Sequence, residues 1–445
     1  MKPIYSPGKT FLGKKILIMG LGHLGGGAGV ARFFVEEGAH VTVTDLKNKK
    51  ELEESLEKLK GLPIEYVLGK HHADDFKTPD LIIRNPDVPF DSEFLQVARR
   101  NKIPIEMDES LFLKFCPVSV IGVTGTRGKT TTTILIGEIL KKAGYPTLLG
   151  GNLPGIATLS LLPKITPQTK VVLELSSWQL QGLAQNKISP HIAVVTNIYP
   201  DHLNRYKNFK DYIDDKKLIF KYQKKDDLLV LNQEDPIVSG FSTQAKSQIV
   251  WFKKTDWPAD WPLKILGVHN RENAAAARVV GKLLKVDEEI IKMAMGEFAG
   301  VPHRLEIIRK LKGVTYVDDS TSTMPVAGIA ALRAFGQNPI ILIAGGNSKK
   351  LDLSDFALEI TKMVKAVVLL EGTATDELES GIKREGAGMK ILGRFSDFKK
   401  AILTAQEVVE PGDVVLLSPG CTSFGMFRNE FDRAEKFKQI VLSLT

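Results

Sequence analysis

The sequence predicts an α/β protein in which three successive units each build a mostly parallel sheet covered by helices. Three observations carry that expectation. Short apolar runs alternate with stretches of helical periodicity, a pattern that lays strands side by side with helices on their faces. Two glycine-rich loops, at residues 20–27 and 122–130, stand where an apolar strand gives way to a helix. Breaks near residues 110 and 300 divide the chain into expected units of residues 1–110, 111–300 and 301–445.

In the first unit, residues 15–19 read as a strand, 28–37 as a helix and 40–44 as a strand ending at Asp45. Residues 80–83 and 104–106 supply two more strands around the helical stretch 91–101. The second unit opens with a strand at 118–123, passes through its glycine-rich loop and enters a helix from 129 to about 143 that Gly144 terminates. Strands at 170–175 and 192–196 follow, each ending at polar residues on the sheet edge where ligands of such folds bind. Residues 226–252 read as β-rich with turns and 270–284 as a helix. In the third unit, strands are expected at 314–317, 339–343, 365–370 and 413–417, with helices at 325–335, 375–384 and 397–409.

With 445 residues, 43% of them hydrophobic and 25% charged, the chain has ample material for buried cores and is neither collagenous nor disordered. Lys and Arg number 60 against 52 acids, and this excess of +8 is dispersed, which fits an anionic small substrate at least as well as nucleic acid. The two cysteines, Cys116 and Cys421, imply no disulfide framework, so a reducing cytoplasm is the expected compartment. The first residues lack an apolar signal core, and no apolar run is long enough to span a bilayer.

Gly20, Gly22 and Gly25 form G-x-G-x-x-G between a strand and a helix. Such a loop lets backbone approach a diphosphate at a helix N-terminus, and Asp45 is placed to hold a ribose hydroxyl. A dinucleotide, any other ligand with diphosphate and ribose, or a tight turn would satisfy the same pattern. Residues 122–130 read GVTGTRGKT. Its backbone amides can cradle phosphate oxygens, Lys129 can reach the β- and γ-phosphates, and Thr130 can offer its hydroxyl to Mg²⁺. Further polar candidates for the metal are Glu174, Asp201 and His202, although a loop histidine also has plain structural uses. Asp214, Asp215, Lys216 and Lys217 read on charge alone as a solvated helix face.

These features in this order, together with ELSS after a strand and NIxPDH after the next, resemble the Mur ligase family over roughly residues 16–433. Its members are the ATP-dependent amide-forming enzymes of peptidoglycan synthesis, and the glutamate-adding branch is the most similar. The resemblance implies a Rossmann-like N-terminal domain, a central P-loop ATPase-like domain and a Rossmann-like C-terminal domain. It implies ATP-dependent addition of D-glutamate to UDP-N-acetylmuramoyl-L-alanine through an acyl phosphate. L-glutamate, or another amide ligase of the Mur or folylpolyglutamate type, is the alternative. A cytoplasmic monomer without nucleic-acid or membrane partners is expected.

By the same resemblance, Gly22, His23, Leu24, Asp45, Leu46 and Asn85 face the UDP-sugar, and Asp87 points away from it. Gly125, Thr126, Arg127, Gly128, Lys129, Thr130 and Thr131 hold ATP, with Asn270, Asn273, Arg304 and Asp319. Thr130, Glu174, His202 and a carbamylated lysine bind two Mg²⁺; the modified residue is Lys216, or its neighbour Lys217. Asn152 and Ser176 position the substrate, while Lys349, Ser423 and Phe431, or Glu430 beside it, receive glutamate. Arg127, where asparagine is commoner, and Thr321, where lysine is, depart from the family pattern.

Overall fold

The computed structural model describes residues 4–22, 25–203, 205–423 and 425–445. Among the described residues no helix is long and apolar enough to cross a membrane.

The first sheet is built by β1 (Lys15–Met19), β2 (His40–Asp45), β3 (Ile64–Leu68), β4 (Leu81–Arg84) and β5 (Ile105–Glu106). Its strands run parallel in the order β3-β2-β1-β4-β5. Helices α1 (Gly26–Glu36), α2 (Glu53–Glu57) and α3 (Glu93–Arg100) connect them. The strand order reverses between β1 and β4, and the glycine-rich loop after β1 lies at that switch point.

Helix α4 (Asp108–Phe115) then runs across the expected boundary near residue 110. Asp108 ties it to the second unit, its carboxylate accepting from the amides of Thr158 at 2.6 Å and Leu159 at 2.8 Å.

The second sheet contains β6 (Val120–Thr124), β7 (Thr147–Gly151), β8 (Lys170–Glu174), β9 (Ile192–Val195), β10 (Leu228–Asn232) and β11 (Gln248–Phe252), all parallel, in the order β11-β10-β9-β6-β8-β7. Helix α5 (Lys129–Lys142) follows β6, α6 (Ser177–Asn186) follows β8 and α7 (Phe209–Lys221) follows β9. Short α8 (Pro236–Ser239), then α9 (Val268–Leu283) and α10 (Glu288–Glu297), complete the unit. Ser176 and Asn208 start α6 and α7 by accepting backbone N–H groups that the helices leave unpaired.

The third sheet, in the order β12-β13-β17-β14-β15-β16, contains β12 (Glu306–Leu311), β13 (Val314–Asp318), β14 (Ile340–Gly345), β15 (Val364–Leu370), β16 (Ile391–Phe395) and β17 (Val414–Leu417). Only β12 runs antiparallel to its neighbour. Helices α11 (Pro325–Arg333), α12 (Ser354–Met363), α13 (Thr375–Arg384), α14 (Phe398–Gln406) and α15 (Glu430–Ser443) cover it.

The joints between units differ in kind. One continuous apolar cluster includes Phe33 and Phe34 of α1, Phe112 of α4, Leu159, and Leu173 of β8, so the first and second units share a core. The third unit has cores of its own, to which Leu266 is the one contribution from the second unit among the described residues. Its joint to the rest is polar: Lys349 pairs with Asp201 at 3.1 Å, Arg304 donates to Thr130 Oγ1 at 3.0 Å, and Arg428 meets Glu54 at 3.2 Å.

Candidate active site

A cavity of about 810 Å³ opens where the three units meet, a volume typical of small-molecule sites. The loop between β6 and α5 forms one wall. Gly128 ends this loop at φ +81°, and a Cβ there would lie 2.2 Å from Asn273 Oδ1, so only glycine fits. No side chain caps α5, which leaves its first N–H groups for an anion. Asn270 and Asn273 do not line the cavity. They brace the loop from behind, with Asn273 Nδ2 donating to Asn270 Oδ1 at 2.9 Å. Gly125 and Thr131 are likewise set behind the lining, whereas Thr126, Arg127, Lys129 and Thr130 belong to it.

Two lysines converge here without a carboxylate of their own. Lys129 Nζ donates to the Thr126 carbonyl at 3.0 Å, and burial pushes its pKa down to about 8. Lys216 Nζ, from α7, donates to the Gly125 carbonyl at 2.8 Å and to Thr124 Oγ1 at 3.2 Å. Burial, reinforced by the Lys129 charge, holds it well below the ordinary lysine value. Lys217, one residue on, turns outward and pairs with Asp214 at 3.2 Å.

Glu174 ends β8. The strand pairing brings Gly151 so close that a Cβ there would stand 1.9 Å from the Glu174 carbonyl oxygen. Asn152 Nδ2 donates to Glu174 Oε1 at 2.9 Å, while Glu174 Oε2 is buried with no partner. His202 adopts φ +56°, rests against Trp178 with ring centroids 4.7 Å apart, and lies 3.5 Å from Asp201. Burial lowers its pKa to about 3 in spite of Asp201, so the imidazole is neutral and a lone pair is available. The unpaired Glu174 oxygen and the neutral His202 imidazole each offer a lone pair of the kind that divalent cations take.

On the first-unit side, Gly22 and Asn85 line the cavity. Asp45 departs from expectation. Its Oδ2 accepts from the Leu21 amide at 2.8 Å and its Oδ1 from the Lys47 amide at 2.9 Å, so the carboxylate shapes the glycine loop from outside the cavity. Leu46 also lies off the cavity and is 66% exposed. His23 and Leu24 fall outside the described residues. Asp87, expected to point away, lines the cavity with Asn85 while remaining exposed, and its carbonyl accepts from Arg205 at 3.0 Å.

On the third-unit side, Arg304, Lys349, Glu430 and Phe431 line the cavity. Ser423 does not; its hydroxyl is buried and unpartnered. Asp319, expected near nucleotide, also stands off the cavity. It accepts from Ser418 Oγ at 2.8 Å and from the Leu305 amide at 3.3 Å, which fixes the chain just after Arg304. Ser176 lines the cavity with its side chain engaged by Gln179.

Sequence reasoning passed over two buried charged residues of the lining. Arg84, at the end of β4, donates to the Val88 carbonyl at 2.6 Å, and Glu109, in α4, accepts from Gln179 at 2.6 Å. Neither lies in a recurrent motif. The only available signal was a charged residue interrupting an apolar stretch.

Comparison with known proteins agrees along the whole chain. Residues 14–106 match the model of the Mur ligase MurD-like N-terminal domain, residues 123–261 the Mur ligase middle domain, and residues 303–421 the glutamate ligase domain of Mur ligases. A UDP-N-acetylmuramoylalanine--D-glutamate ligase of Roseiflexus sp. (strain RS-1) is 44% identical over 97% of this chain and 99% of its own. Its counterpart in Geobacter metallireducens is 36% identical over 97% and 98%. Among solved structures, UDP-N-acetylmuramate-alanine ligase MurC from Thermotoga maritima superposes with a TM-score of 0.63 at 21% identity, covering 97% of this chain and 99% of that one. MurF ligase from Thermotoga maritima in complex with ADP gives 0.59 at 18% identity, over 99% and 96%. Both structural likenesses concern the fold.

Proposed function

The chain belongs to the Mur ligase family, and from that premise we propose that it joins D-glutamate to UDP-N-acetylmuramoyl-L-alanine at the expense of ATP. The observation that carries this reading is the convergence of the residue 122–130 loop, Glu174, His202 and Lys216 on one cavity shared by all three units.

The chemistry follows from the groups to be joined. A carboxylate lacks a leaving group, so the alanine carboxylate first takes the γ-phosphoryl of ATP. The glutamate amine then attacks the acyl phosphate, and phosphate departs from a tetrahedral intermediate. Lys129 and the uncapped start of α5 receive the charge of the transferring phosphoryl, which is catalysis by positioning and electrostatics. Thr130, Glu174, His202 and Lys216 are the residues that would hold Mg²⁺, which neutralises phosphate charge when bound.

Lys216 rather than Lys217 is the residue to carry a carbamate. Burial disfavours the ammonium form of this lysine, and its free amine adds CO₂ with loss of a proton, so that an anionic pair of oxygen donors stands where a lysine stood. Gly22, Asn85, Asn152 and Ser176 place the UDP-sugar peptide, and Lys349 with Phe431 receives glutamate from the third unit. That unit closes over a polar joint and keeps water from the acyl phosphate.

The test is to offer purified protein ATP, Mg²⁺, UDP-N-acetylmuramoyl-L-alanine and either D- or L-glutamate, measuring phosphate release and product mass. Turnover with the D-isomer is expected; none with either isomer rejects the reading.

A further inference from the structure

Arg127 is a poorly satisfied cation in the cavity wall. Its backbone is clamped to the end of β9, the amide donating to Asn197 Oδ1 at 2.8 Å and the carbonyl accepting from Thr196 Oγ1 at 2.6 Å and Asn197 Nδ2 at 3.1 Å. The side chain therefore leaves the phosphate loop toward the third unit, where Nε donates to Met324 Sδ at 2.7 Å. A thioether is a weak acceptor, and one terminal nitrogen of the guanidinium is buried with no partner. Buried donors are almost always paired, so this one is waiting for an acceptor.

Nothing resident serves as that acceptor. Asp201, whose charge acts on Arg127, already accepts from Lys349 Nζ at 3.1 Å and from the His202 amide at 2.8 Å. Lys349 Nζ also lies 3.5 Å from Thr323 Oγ1, beside the Met324 that Arg127 touches. Two cations from different units thus approach the same pair of residues. Lys129 and Arg304 already stand at the start of α5, where the phosphates are placed.

We infer that Arg127 is a specificity-determining residue for the incoming amino acid, its guanidinium receiving one carboxylate of glutamate while Lys349 receives the other. This rests on the ligase reading above. A dicarboxylate needs two cationic contacts, and a planar guanidinium with a free edge suits a carboxylate better than a second lysine does. A P-loop side chain that reads the acceptor would also couple the phosphoryl site to occupancy of the amino-acid site.

The test compares Arg127→Gln and Arg127→Lys with the parent in steady-state phosphate release, titrating D-glutamate, glutamine and 4-aminobutyrate, the last two each lacking one carboxylate. ATP affinity is measured separately by calorimetry. Arg127→Gln should raise KM for glutamate roughly 10- to 100-fold, the range of one charged hydrogen bond, and leave ATP affinity within about threefold. It should lose the parent's preference for glutamate over one analogue and keep it over the other, with Arg127→Lys intermediate. An unchanged glutamate KM overturns the inference, as does weakened ATP binding that accounts for the whole loss. If Arg127→Gln does not fold, Arg127→Lys decides by the same comparison: an altered KM for glutamate supports the inference and an unaltered one overturns it. A parent that turns over neither glutamate isomer rejects the ligase reading instead, before any variant is examined.

Discussion

Replacing Lys349 by methionine probes how the third unit is held. Its Nζ lies 3.1 Å from Asp201 Oδ1, and the two side chains are 14% and 7% exposed. Removing one member of a buried pair strands the other, at a cost of about 3–5 kcal/mol. Asp201 keeps the His202 amide on that same oxygen at 2.8 Å, which puts the cost at the lower end, about 3 kcal/mol. The partners sit on different units that share almost no apolar core, so the stranded carboxylate regains water if the third unit swings away. The penalty therefore falls on closure, shifting the closed-to-open ratio by roughly 100-fold. Small-angle X-ray scattering should show a larger radius of gyration for Lys349→Met, with a urea midpoint close to that of the parent. Unchanged scattering together with a stability loss near 3 kcal/mol would refute the reasoning, because the joint would then be fixed by contacts other than this pair. The same variant should raise the glutamate requirement.

Gly128→Ala combines left-handed backbone strain of about 1–2 kcal/mol with a Cβ 2.2 Å from Asn273 Oδ1; calorimetry should show ATP affinity down at least tenfold, partly restored by adding Asn273→Ala. Burial pushes the Asp319 pKa up to about 7 against the hydrogen bond from Ser418, so the folded chain holds that proton more tightly than the unfolded one. This contribution is complete below about pH 4 and disappears as pH rises through about 7. Asp319→Asn should thus match the parent at pH 4 and exceed it at pH 9 by at most about 4 kcal/mol; urea unfolding that shows no gain at pH 9 contradicts the assignment. Lys216→Ala should lower phosphate release by at least about 100-fold and Lys217→Ala by less than about twofold. The parent should lose activity in CO₂-free buffer and recover it with bicarbonate. Equal effects of the two lysine variants would contradict the inward and outward placement.

Local patterns were enough to place the residue 122–130 loop and Glu174 at the carboxyl edge of the second sheet. Glu174 and the residue 122–130 loop each follow an apolar central strand, whose carboxyl end must open onto the ligand edge of a parallel sheet. Lys216 and Lys217 are equivalent in composition, and only the 100° step between successive helical residues separates the buried one from the partly exposed one. Strands β3, β7, β12 and β16 escaped detection, each lying at the edge of its sheet, because an edge strand is apolar on neither face throughout; Ile64–Leu68 is exposed at Glu65 and Tyr66. The fate of Asp45 was hidden for another reason. A carboxylate near a glycine loop has the right chemistry for a ribose, but backbone amides that carry no sequence signal reach it first. The Lys349–Asp201 and Arg127–Met324 contacts were beyond pattern reading altogether, since each depends on how separately built units dock.

The unlike seams between units bear on what can be exchanged among such enzymes. Phe33, Phe34, Phe112, Leu159 and Leu173 weld the first unit to the second, so a graft of the first unit must carry a matching oily face or leave it bare. The third unit is attached by a few charges and can be replaced if those are kept. Diversification of the third unit is therefore open to domain shuffling, whereas the first unit has to diverge one side chain at a time.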